Sequence, residues 1–140
     1  MTTRIWDERY EDINSHERYL ARNGIVLRKV FLHISREEQR RRFLARLERP
    51  EKQWKFSMHD VEERKRWADY MRAYEQAIRA TSTTHAPWFV VPADHKWYSR
   101  LVVSRIIIEA LEGLNLKFPE VDPAHRRELG KIRQALEAEK

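Results

Sequence analysis

A chain of 140 residues suffices for one modest domain and is short for two. Its 28 Lys and Arg against 22 Asp and Glu leave a net charge of +6, which favours anionic partners such as phosphates, nucleotides, polyphosphate or nucleic acid without choosing among them. The absence of Cys excludes disulfides, zinc knuckles and thiol catalysis, and five Trp, five Tyr and five Phe argue against extended disorder.

No apolar stretch follows Met1, and the longest apolar run, near Leu101 to Leu111, is about half the ~20 residues of a bilayer span and carries Arg105 and Glu109. The expectation is a soluble, cytoplasmic protein with no membrane partner. In chain order, Arg4 to Arg22 places Ile5, Tyr10, Ile13 and Leu20 at helical spacing and ends at Asn23-Gly24, a helix stop signal. Ile25 to Ile34 is rich in β-branched and aromatic residues, and Val30-Phe31-Leu32 is apolar on both faces, as a buried parallel strand requires. Ser35 and Glu38 form the pattern of a reciprocal capping box, opening a helix through Phe43 and Leu47 that stops ahead of Pro50.

A second capping box, Asp60 with Glu63, predicts one long amphipathic helix ending near Thr81. Trp67, Tyr70, Met71, Tyr74 and Ile78 share its apolar face, so the aromatic residues read most simply as core. Trp88 to Val91 is a second short buried strand ended by Pro92. Asp94 then caps a helix whose run from Leu101 through Val102, Val103, Ile106, Ile107 and Ile108 to Leu111 is apolar almost all round, which predicts burial. Asp122-Pro123 opens a polar tail helix with a narrow stripe of Leu129, Ile132 and Leu136. Two buried parallel strands among helices indicate an α/β fold, yet such sheets ordinarily have about five or six strands. The sequence reads as the second half of an α/β domain.

The most charged segment is Arg36 to Lys55, where eight basic residues face four acidic ones and supply two thirds of the net charge. One reading is a solvated helix face with Glu-to-Arg pairs. The other is a phosphate-binding segment, because Arg42 and Arg46 share a face and lead into a loop carrying Lys52 and Lys55 beside Trp54. Asp94 and Lys96 fall just past the second strand, where open α/β sheets place ligands, although a helix cap and a surface lysine are the simpler account of them. Six His without helical spacing give no local metal motif, and no Ser/His/Asp set can be placed. The pattern G-x-x-x-x-G-K-[ST] fails, since Gly130-Lys131 is preceded by His125 and followed by Ile132.

Phe31-Leu32-His33-Ile34-Ser35, Glu38-Gln39, Arg42-Phe43, Arg46, Pro50, Lys52, Trp54-Lys55 and Ser57 occur in an order that closely resembles the polyphosphate kinase 2 family. The likeness continues through Trp67, Asp69-Tyr70, Tyr74-Glu75, Thr81-Ser82-Thr83, Ala86-Pro87-Trp88 and Val91-Pro92-Ala93-Asp94 to Lys96-Trp97-Tyr98. It implies the C-terminal part of a P-loop kinase-like α/β/α parallel-sheet fold, mostly helical here, with residues 1–122 forming half of the domain and 123–140 a tail helix. It implies Mg²⁺-dependent phosphoryl transfer between inorganic polyphosphate and a nucleoside mono- or diphosphate. It further implies that residues 36–57 form a lid in which Arg42, Arg46, Lys52 and Lys55 bind phosphate. The family's Walker A and Walker B segments, which hold the metal, lie upstream of Met1, so the chain alone is expected to be inactive and to pair with a Walker-containing half or an intact homologue. The competing reading is a non-catalytic polyphosphate-binding or regulatory module. Nucleic-acid binding is weakest, because no stacking platform or recognition motif accompanies the basic segment.

Overall fold

A computed structural model describes residues 3–139. In order these form α1 (Thr3–Arg22), β1 (Lys29–His33), α2 (Arg36–Leu47), α3 (Pro50–Gln53), α4 (Met58–Lys65), α5 (Trp67–Thr81), β2 (Trp88–Pro92), α6 (Lys96–Gly113) and α7 (Pro123–Ala138). The two strands pair in parallel, with Lys29 opposite Trp88 and His33 opposite Pro92. The chain divides into two units, one ending at Ala110 and the other beginning at Leu111 and containing α7.

Helix α1 ends as its sequence predicts. Gly24 takes φ +81°, the Ile25 N–H reaches Leu20 O at 3.1 Å and the Gly24 N–H reaches Ala21 O at 3.1 Å, which satisfies carbonyls left open at the helix end. Helix α2 likewise stops at Leu47. Arg49 is held extended ahead of Pro50, and the proline then opens the single-turn α3 from the position where its missing N–H costs nothing. Asp122 caps α7 by accepting the His125 N–H at 2.8 Å.

The strands are tied to the helices by one largely enclosed ion pair. Lys29 Nζ lies 2.6 Å from Glu17 Oε2 of α1, donates to Thr81 O at the end of α5 at 2.6 Å, and sits 5.3 Å from the Trp88 ring centroid. The side chains of Lys29 and Glu17 are only 15% and 12% exposed. Glu17→Ala would leave the ammonium enclosed with one carbonyl, and is expected to cost ~2 kcal/mol, below the 3–5 of fully buried pairs because some water reaches the site. The double change Glu17→Ala, Lys29→Met should cost less than the single one, as read from urea unfolding of both variants.

The structure corrects several sequence expectations. The first strand covers Lys29–His33 rather than Ile25 to Ile34, and Ile25 and Val26 are exposed. β1 has only the five residues of β2 to pair with, so its flanks have no ladder. The long helix from Asp60 is two helices that change direction at Arg66 (ψ 19°), and the capping box is Ser57 with Asp60, not Asp60 with Glu63. Tyr70 and Tyr74 are each 42% exposed rather than core. The apolar run of α6 predicts burial, yet only Ser99 and Ile106 are buried, while Leu101, Ile107 and Leu111 remain more than half exposed. A single strand neighbour covers only one side of an all-round apolar helix. Among the described residues the buried apolar side chains are Ala86, Val91, Ala93 and Ile106, all from the β2–α6 region.

Candidate phosphate-binding site

Parallel pairing brings the carboxyl ends of both strands to one edge, and the two segments that continue from them meet there. Asp94, expected to cap α6, instead turns across the strands: its Oδ1 accepts the Ser35 N–H at 2.6 Å. This bond lowers the Asp94 carboxyl below its ordinary value. Helix α6 starts without it, the Ser99 N–H reaching His95 O at 3.1 Å. The capping box at α2 is therefore only half formed. Ser35 Oγ accepts the Glu38 N–H at 3.0 Å, but the Ser35 N–H belongs to Asp94 and the Glu38 carboxylate is drawn to arginines. Charge-assisted bonds to two guanidinium groups outweigh one neutral N–H.

Glu38 is the centre of this arrangement. Arg41 donates to both of its oxygens at 2.6 Å, and Arg42 Nε reaches Oε1 at 2.7 Å. Arg42 Nη2 continues to Ala93 O at 2.7 Å and Asp94 O at 3.3 Å, pinning α2 to the segment after β2. The Arg41 hydrogen bond, reinforced by Arg42 and opposed by burial, lowers the Glu38 carboxyl to about 2 from an ordinary 4.5. A lowered folded-state value means the stabilisation is complete above about pH 4.5 and lost as pH falls toward 2. The protection factor of the Glu38 amide, which removes the intrinsic pH dependence of exchange, should therefore stay high at pH 5 and fall between pH 4 and 2; the Ser35 amide, held by Asp94, also follows that carboxylate. In Glu38→Gln the step at residue 38 should vanish. An unchanged step in the variant would remove Glu38 as the latch.

The structure thus joins Arg42 and Asp94 in one network. It places Arg46, Lys52 and Lys55 elsewhere, exposed along the end of α2, α3 and the turn after it. Among the described residues none of these three forms an ion pair with a carboxylate, whereas Arg40 and Arg41 do. Lys55 Nζ lies 4.5 Å from the ring centroid of Trp54, which is 77% exposed. Lys96 is exposed at the first position of α6. Sequence reasoning saw Glu38 as a capping residue, as part of a family motif and as one acid of a charged helix face, not as the centre of a network. It also passed over Arg64, whose Nη1 donates to Arg36 O at 2.7 Å and Gln39 Oε1 at 2.8 Å and so ties α4 to the start of α2. The spacings of three and four from Glu38 to Arg41 and Arg42 were the available signal.

Between the strand ends and the start of α6 lies a shallow cleft of about 300 Å³ lined by His33, Ser35, Pro92, Asp94, His95 and Tyr98. Its polar groups suit hydrogen bonding to a ligand's oxygens. Among the described residues no group of three or more His, Asp or Glu side chains is placed to hold a metal ion, and Asp94 spends one oxygen on Ser35. Among the described residues no helix is long and apolar enough to cross a membrane.

A family model of polyphosphate kinase 2 matches residues 1–119. The chain belongs to the polyphosphate kinase 2 family. It is 50% identical over 132 residues to an ADP-polyphosphate phosphotransferase of Rhodopseudomonas palustris, covering 94% of this chain and 46% of that protein. It is also 50% identical over 135 residues to a Leptolyngbya boryana protein described as an uncharacterized protein in the chlN 3' region, covering 96% of this chain and 99% of that one. Among solved structures, polyphosphate kinase 2 from Arthrobacter aurescens superposes with a TM-score of 0.84 at 44% identity, over 92% of this chain and 46% of that one. The chain therefore spans nearly all of the Leptolyngbya protein and under half of the Rhodopseudomonas phosphotransferase. Its helices and two parallel strands are a polyphosphate kinase 2 fold of the P-loop kinase-like α/β type.

Proposed function

We propose that the chain supplies the phosphate-binding lid and part of the core of a cytoplasmic polyphosphate:nucleotide phosphotransferase. The observation that carries this reading is the division of labour within residues 36–57. Arg42 is committed to Glu38 and the β2 carboxyl end, while Arg46, Lys52 and Lys55 extend from that fixed base with no carboxylate partner among the described residues. A row of exposed cations on a short helix and turn suits successive phosphates of a linear polyanion, and Trp54 keeps Lys55 close to the row. Asp94 and Lys96, at the strand ends, would face the acceptor nucleoside mono- or diphosphate. Mg²⁺, which the family resemblance implies, would have to be held by carboxylates outside the described residues, in a Walker-containing half or an intact homologue. A non-catalytic polyphosphate-binding or regulatory role uses the same row of cations and differs in needing no nucleotide.

Binding of polyphosphate to the chain should weaken steeply with salt, because several phosphate contacts release counterions together. Arg46→Ala, Lys52→Ala and Lys55→Ala should each lower affinity, by ~3- to 10-fold for one charged hydrogen bond, and each should reduce the salt slope. Arg42→Ala should also weaken binding, through loss of the base on which the row stands. Arg127→Ala, in the tail of residues 122–140 where five basic residues meet four acidic ones, should change little. Titration of the five variants at two salt concentrations decides the matter. Equal small losses at all five sites would mean that net charge alone attracts polyphosphate.

A further inference from the structure

Helix α7 carries an apolar stripe with a definite charge pattern on its two flanks. Leu129, Ile132 and Leu136 follow one another at spacings of three and four, and His125 continues the same line toward the helix start. In heptad terms Leu129 and Leu136 take position a, while His125 and Ile132 take position d. Glu128 then falls at position g on one flank, and Arg126 and Arg133 fall at position e on the other. The stripe is open: Leu129 is 44% exposed, Ile132 47% and Leu136 61%. A helix of 16 residues is marginal by itself in water and gains most of its stability by packing such a face, so the stripe calls for a cover.

We propose that α7 pairs with the α7 of a second copy of this chain, parallel and in register. The flanking charges select both the occupant and the direction. In a parallel pair, position g of one helix meets position e of the next heptad on the other, so Glu128 faces Arg133 of the second copy, and the two-fold symmetry makes this contact twice. One helix carries both members of the pair and is therefore complementary to itself. In an antiparallel pair like positions meet, so the flank of Arg126 and Arg133 would face its own copy and Glu128 would face no arginine. Both groups are free to exchange partners. The side chains of Glu128 and Arg133 are 67% and 80% exposed, and their in-helix contacts, to His125 Nδ1 at 3.3 Å and to Glu137 at 2.8 Å, are the weak pairs of a wet surface. This pairing does not rest on the phosphate-binding reading, because α7 supplies none of the residues placed in that row.

The test uses the full 140-residue chain, which has no Cys, so that an introduced thiol is unique. Under mild oxidation with diamide, His125→Cys should form a disulfide-linked dimer about tenfold faster than Arg127→Cys, whose position lies on the opposite face of the helix. In an antiparallel pair residue 125 would lie beside Leu136 of the other helix, about 16 Å from its own copy at 1.5 Å per residue, and would not cross-link. Sedimentation equilibrium should show dimers that Ile132→Lys weakens about tenfold or more, since a charge then enters the apolar layer. Glu128→Arg and Arg133→Glu should each weaken the dimer by ~3-fold or more, because like charges then face each other. An equimolar mixture of those two variants should associate as well as the unaltered chain, since opposite charges then meet on both flanks. If Ile132→Lys unfolds α7, the mixture still decides. Association that survives Ile132→Lys with α7 folded, equal cross-linking at both thiols, or a mixture that does not recover would overturn the proposal. So would a chain that stays monomeric while its α7 amides are protected, which would make another part of the same chain the cover.

Discussion

Incubated by itself with inorganic polyphosphate, Mg²⁺ and AMP, ADP or GDP, the 140-residue chain is expected to form no nucleotide product above background. Phosphoryl transfer depends almost entirely on positioning and on neutralising charge spread over the transferred group. On the proposed reading the chain contributes cations for that purpose, but its sequence has no G-x-x-x-x-G-K-[ST] loop, and among the described residues no group of three or more His, Asp or Glu could hold a metal. A single charge-stabilising arginine can account for ~10³- to 10⁵-fold in such reactions, so loss of both the phosphate cradle and the metal site should put turnover at least ~10⁵-fold below an intact relative. Adding a Walker-containing half should restore product, and Arg46→Ala or Lys55→Ala should then lower the restored rate. Metal-dependent nucleoside triphosphate formation by the pure chain would overturn this expectation.

The second large effect concerns packing. Alone, the chain should bind an apolar dye and either melt broadly or associate, because apolar surfaces of both strands and of α6 remain exposed. Leu32, Val90, Leu101, Ile107 and Trp97 are each more than half exposed. At ~1.5–3 kcal/mol for each large apolar side chain taken from fully exposed to fully buried, covering the exposed part of these five, somewhat over half of each, is worth roughly 4–9 kcal/mol, a large share of the stability of an ordinary domain. A partner on these surfaces should therefore sharpen the melt and raise its midpoint by many degrees. Size-exclusion chromatography, dye fluorescence and calorimetry of the chain with and without a Walker-containing half make the comparison. A compact monomer with a sharp, cooperative melt on its own would show that these surfaces are self-sufficient.

Local signals were legible in the sequence wherever a few adjacent residues decide the outcome. Asn23-Gly24 ends α1, Pro50 separates α2 from α3, Ser35 caps α2 and Asp122-Pro123 opens α7, each through one side chain or one constrained backbone angle. The apolar run Val30-Phe31-Leu32 and the segment Trp88 to Val91 identified the two strands and their parallel pairing. The ordered motifs from Phe31 to Tyr98 identified the family, which the match over residues 1–119 bears out.

Tertiary structure decided what becomes of groups that have more than one good partner. Asp94 could cap α6 or reach Ser35, and Glu38 could close a capping box or hold arginines. The first choice turned on parallel pairing, which sets residues 59 positions apart in hydrogen-bond contact and takes the Ser35 N–H from Glu38; the arginines that Glu38 then holds are its own helix neighbours. The same holds for Arg42, whose charge the sequence displayed but whose bond to Ala93 O exists only because α2 packs over the end of β2. Burial of α6 was misjudged for the complementary reason: an apolar composition states what a helix would lose in water, whereas the neighbours available to it depend on how many strands and helices share the domain. Composition and short-range pattern determined the elements, their ends and the family. Long-range hydrogen bonds and the count of packing partners, which no local window contains, determined the site and how much of the strands and α6 stays exposed.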